Sequence, residues 1–296
     1  MARVVAVVGP TATGKSDLGV ALAEAIGGEV VNADSMQLYR GMDVGTAKLA
    51  DAERRGIPHH LLDVWDVRRT ATAAAYQQLA RACVDDLLAR GVPPILVGGS
   101  GLYLRAALDE LEFPGTDPDL RAQLEADLER DGPLVLHARL TQLDPAAAQR
   151  MEPTNGRRVV RALEVVLLTG SMPGAMTSYG EHYATTYVGL DREDLAARTD
   201  LRVDRMWEQG LVEEVRALAA DGLREGVTAS RALGYAQVLS MLDGTLTEDE
   251  AREATKVATR RFVRRQRAWF RRDPRIRWLD PDRDLAEQGL QALASK

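Results

Sequence analysis

From Arg3 to Val8 the chain runs through β-branched and small apolar residues without polar alternation, the pattern of a strand buried on both faces, and Gly9 ends the run. Leu18, Leu22, Ala25 and Ile26 then recur at helical spacing, so the N-terminal segment reads as strand, glycine loop, helix. A second short strand is expected at 29–31, a helix at 71–90, and a further buried strand at 94–97 ended by Gly98 and Gly99. Strands alternating with helices predict a parallel α/β sheet. From 113 to 183 the period changes: helical segments are expected near 118–130, 134–143 and 157–168, with no strand. The pattern returns to the sheet at 185–190 and then predicts helices at 194–207, 211–220, 235–242 and 247–271, with Trp278 in a short terminal strand. The expected organisation is a parallel-sheet core flanked by helices over 1–112 and 184–296, ending in a helical C-terminal region, with an all-helical insertion domain at 113–183.

Composition narrows the class. At 296 residues, 45% hydrophobic and 28% charged, the chain has ordinary globular usage and more length than one small module needs. The apolar run near the start is too short for a membrane span or a signal-peptide core, so a cytoplasmic protein without a membrane partner is expected. The single cysteine, Cys83, falls on an apolar helical stripe and reads as core filler. His59 and His60 have no metal-type companions nearby, and no zinc is expected. Net charge is −6, but eleven Arg and Lys between Arg252 and Arg277, against Glu253 and Asp273, leave that segment at +9 and the rest at −15. A local basic stripe in an acidic chain suits a polyanion, and a solvated helix face is its plain alternative.

Gly9-Pro10-Thr11-Ala12-Thr13-Gly14-Lys15-Ser16 fits the phosphate-binding loop GxxxxGK[ST] and lies between a buried strand and a helix start, where such a loop works. Its backbone N–H groups would nest phosphate oxygens, Lys15 would add charge, and Ser16 would ligate Mg²⁺. The fold class is therefore a P-loop NTPase-like α/β core. The strand at 94–97 ends in glycines and Ser100 instead of the acid that holds magnesium in P-loop ATPases. A carboxylate stands instead at Asp34, just past the second strand, where it faces the same crevice and is the general-base candidate. A turn or N-cap aspartate is the alternative.

GPTATGKS at 9–16, NADSMQLYRGMDVGTAK at 32–48, PHHLLD at 58–63 and GGSGLYLRA from Gly98 resemble the tRNA dimethylallyltransferase (isopentenyltransferase) family. The resemblance continues through NGRRVVRALE at 155–164, TGSMPG at 169–174, RALGYAQ at 231–237 and RRFVRRQRAWFRR at 260–272, and so covers nearly the whole chain. It implies an enzyme that moves a dimethylallyl group from dimethylallyl diphosphate to the exocyclic amine of the adenosine immediately 3′ of the anticodon, with the phosphate loop holding the donor's diphosphate.

The resemblance implies roles for particular residues. Asp34 would be the base, and Arg202, one helical turn from Arg198, a second diphosphate clamp, with a surface salt bridge to Glu193 or Asp194 as the alternative for that pair. Asp34, Ser35, Met36 and Gln37 would meet the adenine, with Gln37 reading its edge. Ser100, where the family usually has threonine, Arg121 and Arg231 would contact tRNA, and Arg157, Arg158 and Arg161 of the insertion would serve the anticodon stem-loop. Arg260, Arg264, Arg267 and Arg271 share one helix face, expected to carry no acids and to bind the tRNA backbone through Arg264, Arg267 and Arg271. A monomer with Mg²⁺ as cofactor is expected. A P-loop kinase acting on a nucleoside or small molecule, a tRNA-binding ATPase module without catalysis, and a prenyltransferase acting on free AMP are the competing readings.

Overall fold

The computed structural model describes residues 3–173 and 179–294, so the last residue of TGSMPG, Gly174, lies outside the described residues. Two compact units are present. The larger comprises the chain up to Glu110 and from Glu181 onward, and the smaller spans Leu111–Gly180.

The larger unit is built on a six-stranded sheet, all of whose pairings are parallel. Its strands are β1 (Val4–Val8), β2 (Glu29–Asn32), β3 (His59–His60), β4 (Pro94–Gly98), β5 (Thr185–Leu190) and β6 (Arg277–Leu279), in the order β3-β2-β4-β1-β5-β6. All five residues of β1 are buried. Val4, Ala6 and Val8 enter one apolar cluster while Val5 and Val7 enter another, as a doubly covered strand requires. The second cluster lies under α1 (Lys15–Ile26), which supplies Leu18, Leu22 and Ala23 and packs on the C-terminal helix. The other face is covered by α2 (Ala73–Ala89) and α3 (Gly101–Leu108), with residues of the C-terminal helices joining the same cluster.

The smaller unit contains only helices among its described residues: α4 (Pro118–Asp131), α5 (Pro133–Leu143), α6 (Pro145–Gln149) and α7 (Gly156–Thr169). Asp117 caps α4 by accepting the Asp119 and Leu120 N–H groups, and Asn155 caps α7 by accepting that of Arg158. Leu124, Leu136, Leu140, Val159 and Leu163 form its core.

After β5 come α8 (Leu195–Glu208), α9 (Leu211–Ala220), α10 (Tyr235–Leu242), the long α11 (Glu248–Phe270) and α12 (Leu285–Ala294). The start of α11 is fixed by a capping box: Thr247 Oγ1 accepts the Glu250 N–H, and Glu250 accepts the Thr247 N–H. The expected strands and helices are found to within a few residues. The periodicity did not announce β3, which has two histidines and no apolar signal, or the short α3 and α6, or α12. No helix among the described residues is long and apolar enough to cross a membrane.

Candidate active site

The phosphate loop is shaped by its backbone. Gly9 takes φ +140°, and a Cβ there would lie 2.1 Å from the Leu190 carbonyl oxygen, so β5 leaves room for glycine only. Thr13 is buried and donates its hydroxyl to the Pro10 carbonyl at 2.9 Å, closing the loop on itself. Lys15 Nζ donates to the same carbonyl, and Arg198 Nε donates to the Ala12 carbonyl at 2.9 Å. Burial first, and the Arg202 guanidinium second, push the Lys15 ammonium down to about 7, against the opposing pull of Asp34. Burial likewise lowers Arg202, again opposed by Asp34. Two half-buried basic groups in one crevice are poised for an anion.

Asp34 lies two residues past β2 and is held by buried Asn32, whose Oδ1 accepts the Asp34 N–H at 2.9 Å and whose Nδ2 donates to the Asp34 carbonyl at 3.0 Å. Asp34 Oδ1 accepts the Met36 N–H at 2.9 Å, so the turn role is real. Ser35 donates its N–H to Ser100 Oγ at 3.3 Å, which ties this turn to the end of β4.

Two cavities meet at this turn. The first is lined by Lys15, Ser16, Asn32, Gln37, Gly98 and Gly99, and the second by Met36, Val203, Met206, Leu233, Tyr235 and Phe262, with Ser35, Ser100, Arg231 and Arg265. Thr11, Asp34, Thr46 and Arg202 line both. The second is the roomier, about 290 Å³ against about 70 Å³. Arg202 donates to the Thr46 carbonyl at 3.4 Å and lines the junction, whereas Arg198 stands 3.9 Å from Asp194. The surface-pair alternative thus describes Arg198 in part and Arg202 not at all.

Several other residues do not stand as expected. The Gln37 amide nitrogen donates to the Thr46 and Ala47 carbonyls at 3.1 and 3.4 Å, so the donor expected to read a base already serves the loop. The acid-free stripe on α11 does not exist. Arg267 holds Asp191 at 2.7 Å and the Arg192 carbonyl, Arg271 reaches Asp191 at 3.2 Å, and Arg260 bridges Asp200 and Glu253 at 2.6 and 3.1 Å. The acids come mainly from α8 and the segment before it, far away in sequence. Arg261, Arg264 and Arg265 form the exposed face, with no ion pair to any of them among the described residues. In the smaller unit, Arg121 and Arg161 both grip the fully buried Glu164, while Arg157 and Arg158 are exposed. Burial works to raise Glu164, but those two guanidiniums outweigh it and hold the carboxyl below its ordinary value.

Two polar residues that hold the loops of the crevice escaped the sequence reading. Gln266 is buried on α11 and bonds both Thr11 and Gly99. Its signal was a polar residue at an apolar-stripe position, between Val263 and Phe270. Glu214 on α9 accepts the N–H groups of Asp43, Val44 and Gly45 at 3.0, 2.7 and 3.2 Å and the Tyr235 hydroxyl at 2.5 Å, fixing the loop that carries Thr46. No local pattern marks that contact.

Comparison with known proteins identifies the family. The IPP transferase family profile matches residues 37–273. A tRNA dimethylallyltransferase from Thermobifida fusca is 62% identical over 98% of this chain and 94% of its own length. One from Streptomyces coelicolor is 64% identical over 94% of this chain and 90% of its own. Among solved structures, the tRNA isopentenylpyrophosphate transferase of Bacillus halodurans is 40% identical, with a TM-score of 0.72 over 98% of this chain and 94% of that one. A eukaryotic dimethylallyltransferase captured acting on tRNA superposes with a TM-score of 0.80 at 28% identity, over 95% of this chain and 74% of that one. The chain belongs to the IPP transferase family.

Proposed function

We propose that this chain transfers the dimethylallyl group of dimethylallyl diphosphate to the exocyclic amine of the adenosine immediately 3′ of the anticodon in tRNA, releasing diphosphate. The observation that carries this reading is the place of Asp34, where a cationic phosphate-loop crevice opens into a roomier cavity lined largely by apolar groups and rimmed by Arg231 and Arg265. Diphosphate belongs at the first and the adenosine at the second, so their reacting atoms meet at the carboxylate.

In the transfer, the allylic C–O bond breaks, the amine nitrogen bonds to that carbon, and the Asp34 carboxylate takes the amine proton. Lys15, Arg202 and the loop amides receive the leaving-group charge, and the burial that depresses Lys15 makes its pairing with diphosphate strong. The Ser16 hydroxyl lines the crevice beside the loop amides, an oxygen donor that suits Mg²⁺ completed by diphosphate oxygens and water. When bound, the ion would neutralise charge on the departing diphosphate. Arg261, Arg264 and Arg265, and in the smaller unit Arg157 and Arg158, supply the charge for the tRNA backbone.

The test is incubation with radiolabelled dimethylallyl diphosphate and either tRNA or AMP. Label in tRNA is expected without nucleotide consumption. Label in AMP, or stoichiometric use of ATP, overturns the assignment.

A further inference from the structure

Gln266 lies on the buried stripe of α11 and is 5% exposed. A carboxamide costs stability in such a stripe unless both its ends are satisfied. Here both are: Oε1 accepts the Thr11 N–H at 3.0 Å, and Nε2 donates to the Gly99 carbonyl at 2.9 Å. The approach to the second loop is close, since a Cβ on Gly99 would stand 2.3 Å from Gln266 Nε2. Beyond Gly99, Ser100 accepts the Ser35 N–H beside Asp34. One side chain therefore joins the phosphate loop, the end of β4 that holds the Asp34 turn, and a helix whose exposed face carries Arg261, Arg264 and Arg265.

We infer that Gln266 is a positioning residue for the transfer step, setting the distance between the diphosphate cradle and the Asp34 turn. It touches neither reacting atom. The Thr11 N–H is committed to the glutamine, which leaves the later amides of the loop to face the diphosphate. The geometry explains the glycine at 99: the space for a side chain there is filled by the amide of Gln266. A residue that only filled the core would be served equally well by methionine, which has the same length and no hydrogen bonds.

The inference rests on the proposed transfer reaction, and its test keeps the two apart. The single-turnover rate constant is measured per titrated active site, with both substrates saturating, beside the thermal midpoint and the affinity for a non-reactive donor analogue. Gln266→Met is expected to slow the step about tenfold or more, since misplacement near 1 Å can cost a hundredfold. Analogue affinity should stay within about threefold, a split that lost folding alone does not produce. Gln266→Glu keeps the bond to Thr11 and loses that to Gly99, and serves if the methionine variant folds poorly; it too should be slow. Gly99→Ala should slow the step by displacing the amide, and in a Gln266→Ala background the added methyl should cost much less, its remaining close neighbour being the Gly9 carbonyl oxygen at 3.2 Å. A wild-type per-site rate in the methionine and glutamate variants, or multiplying effects in the double variant, overturns the inference. Wild-type protein that fails to label tRNA sinks the transfer reading itself.

Discussion

The phosphate loop and helix α11 both gather positive groups for an anion, and they are built in opposite ways. The loop's work is done by backbone over eight consecutive residues, with Gly9 against β5, Gly14 at the start of α1, and Thr13 folded back on Pro10. Only Lys15 contributes a side-chain charge, and it is kept in the crevice. In α11 the positive groups are side chains, and those facing α8 are spent on Asp191, Asp200 and Asp204. What remains for a partner is a narrower face. A site made of backbone is specified largely by its own short segment, with distant groups such as Gln266 and Leu190 holding it in place, whereas one made of side chains depends on which acids the fold brings opposite it.

The sharpest way to break this comparison is at Asp34, which has both a local and a chemical role. Asp34→Asn keeps an oxygen for the Met36 N–H and so preserves the turn, but it cannot accept the amine proton. Turnover is expected to fall by two or more orders of magnitude, the scale of a lost general base. Binding of the prenyl diphosphate should be nearly unchanged. An asparagine variant with near-wild-type single-turnover rate would reduce Asp34 to a turn residue.

The same division explains what could be read from the sequence. The strand-loop-helix at the start, the glycine-ended β4 and the Asp34 turn follow from local pattern, because burial on both faces of the sheet and the loop's conformation are local demands. The pairing of Arg267 with Asp191 spans the gap between α11 and the segment after β5, and that of Arg121 and Arg161 with Glu164 joins two helices; neither partner announces the other. Gln266 and Glu214 were hidden for the same reason, since their partners are backbone groups of distant loops. The fold brings acids to basic residues that a count along one helix treats as free.

A second test addresses the free face of α11. Replacing Arg261, Arg264 and Arg265 together by Gln should weaken tRNA binding and flatten its salt dependence by about 0.7 to 0.9 log units per lost phosphate contact. The prenyl diphosphate site should be unaffected. Parallel salt plots of equal affinity for variant and wild type would make this face a solvated surface.

The phosphate loop offers a test that α11 does not, because its lysine titrates near neutrality. Lys15 is held at about 7 in the free protein, and a bound diphosphate raises it by favouring the charged form. Donor affinity should therefore be greatest below pH 7 and fall as pH rises above it, by up to about tenfold per unit. Stability of the free protein runs the other way. Its folded-state lysine lies below the unfolded value of 10.5, so the unfolded chain binds more protons between about 7 and 10.5, and stability attributable to Lys15 rises with pH across that window. Lys15→Met should flatten both trends; calorimetric proton uptake on donor binding at pH 8 that persists in this variant would assign the titration elsewhere.

The smallest expected effect separates the two faces of α11 most directly. Arg267 is 27% exposed and bonds Asp191, itself 19% exposed, so Arg267→Gln removes a partly shielded pair that fastens α11 to the segment after β5. Such a pair contributes on the order of 1 kcal/mol, because solvent screens part of it and long side chains lose freedom in making it. Arg271 remains within reach of Asp191 and should compensate in part. The variant should thus lose a little stability in denaturant, retain transfer activity, and bind tRNA with an unchanged salt slope. A shallower slope at unchanged stability would mean that the guanidinium leaves Asp191 for a phosphate when tRNA binds, and the boundary drawn here between fastening and contacting arginines would have to move.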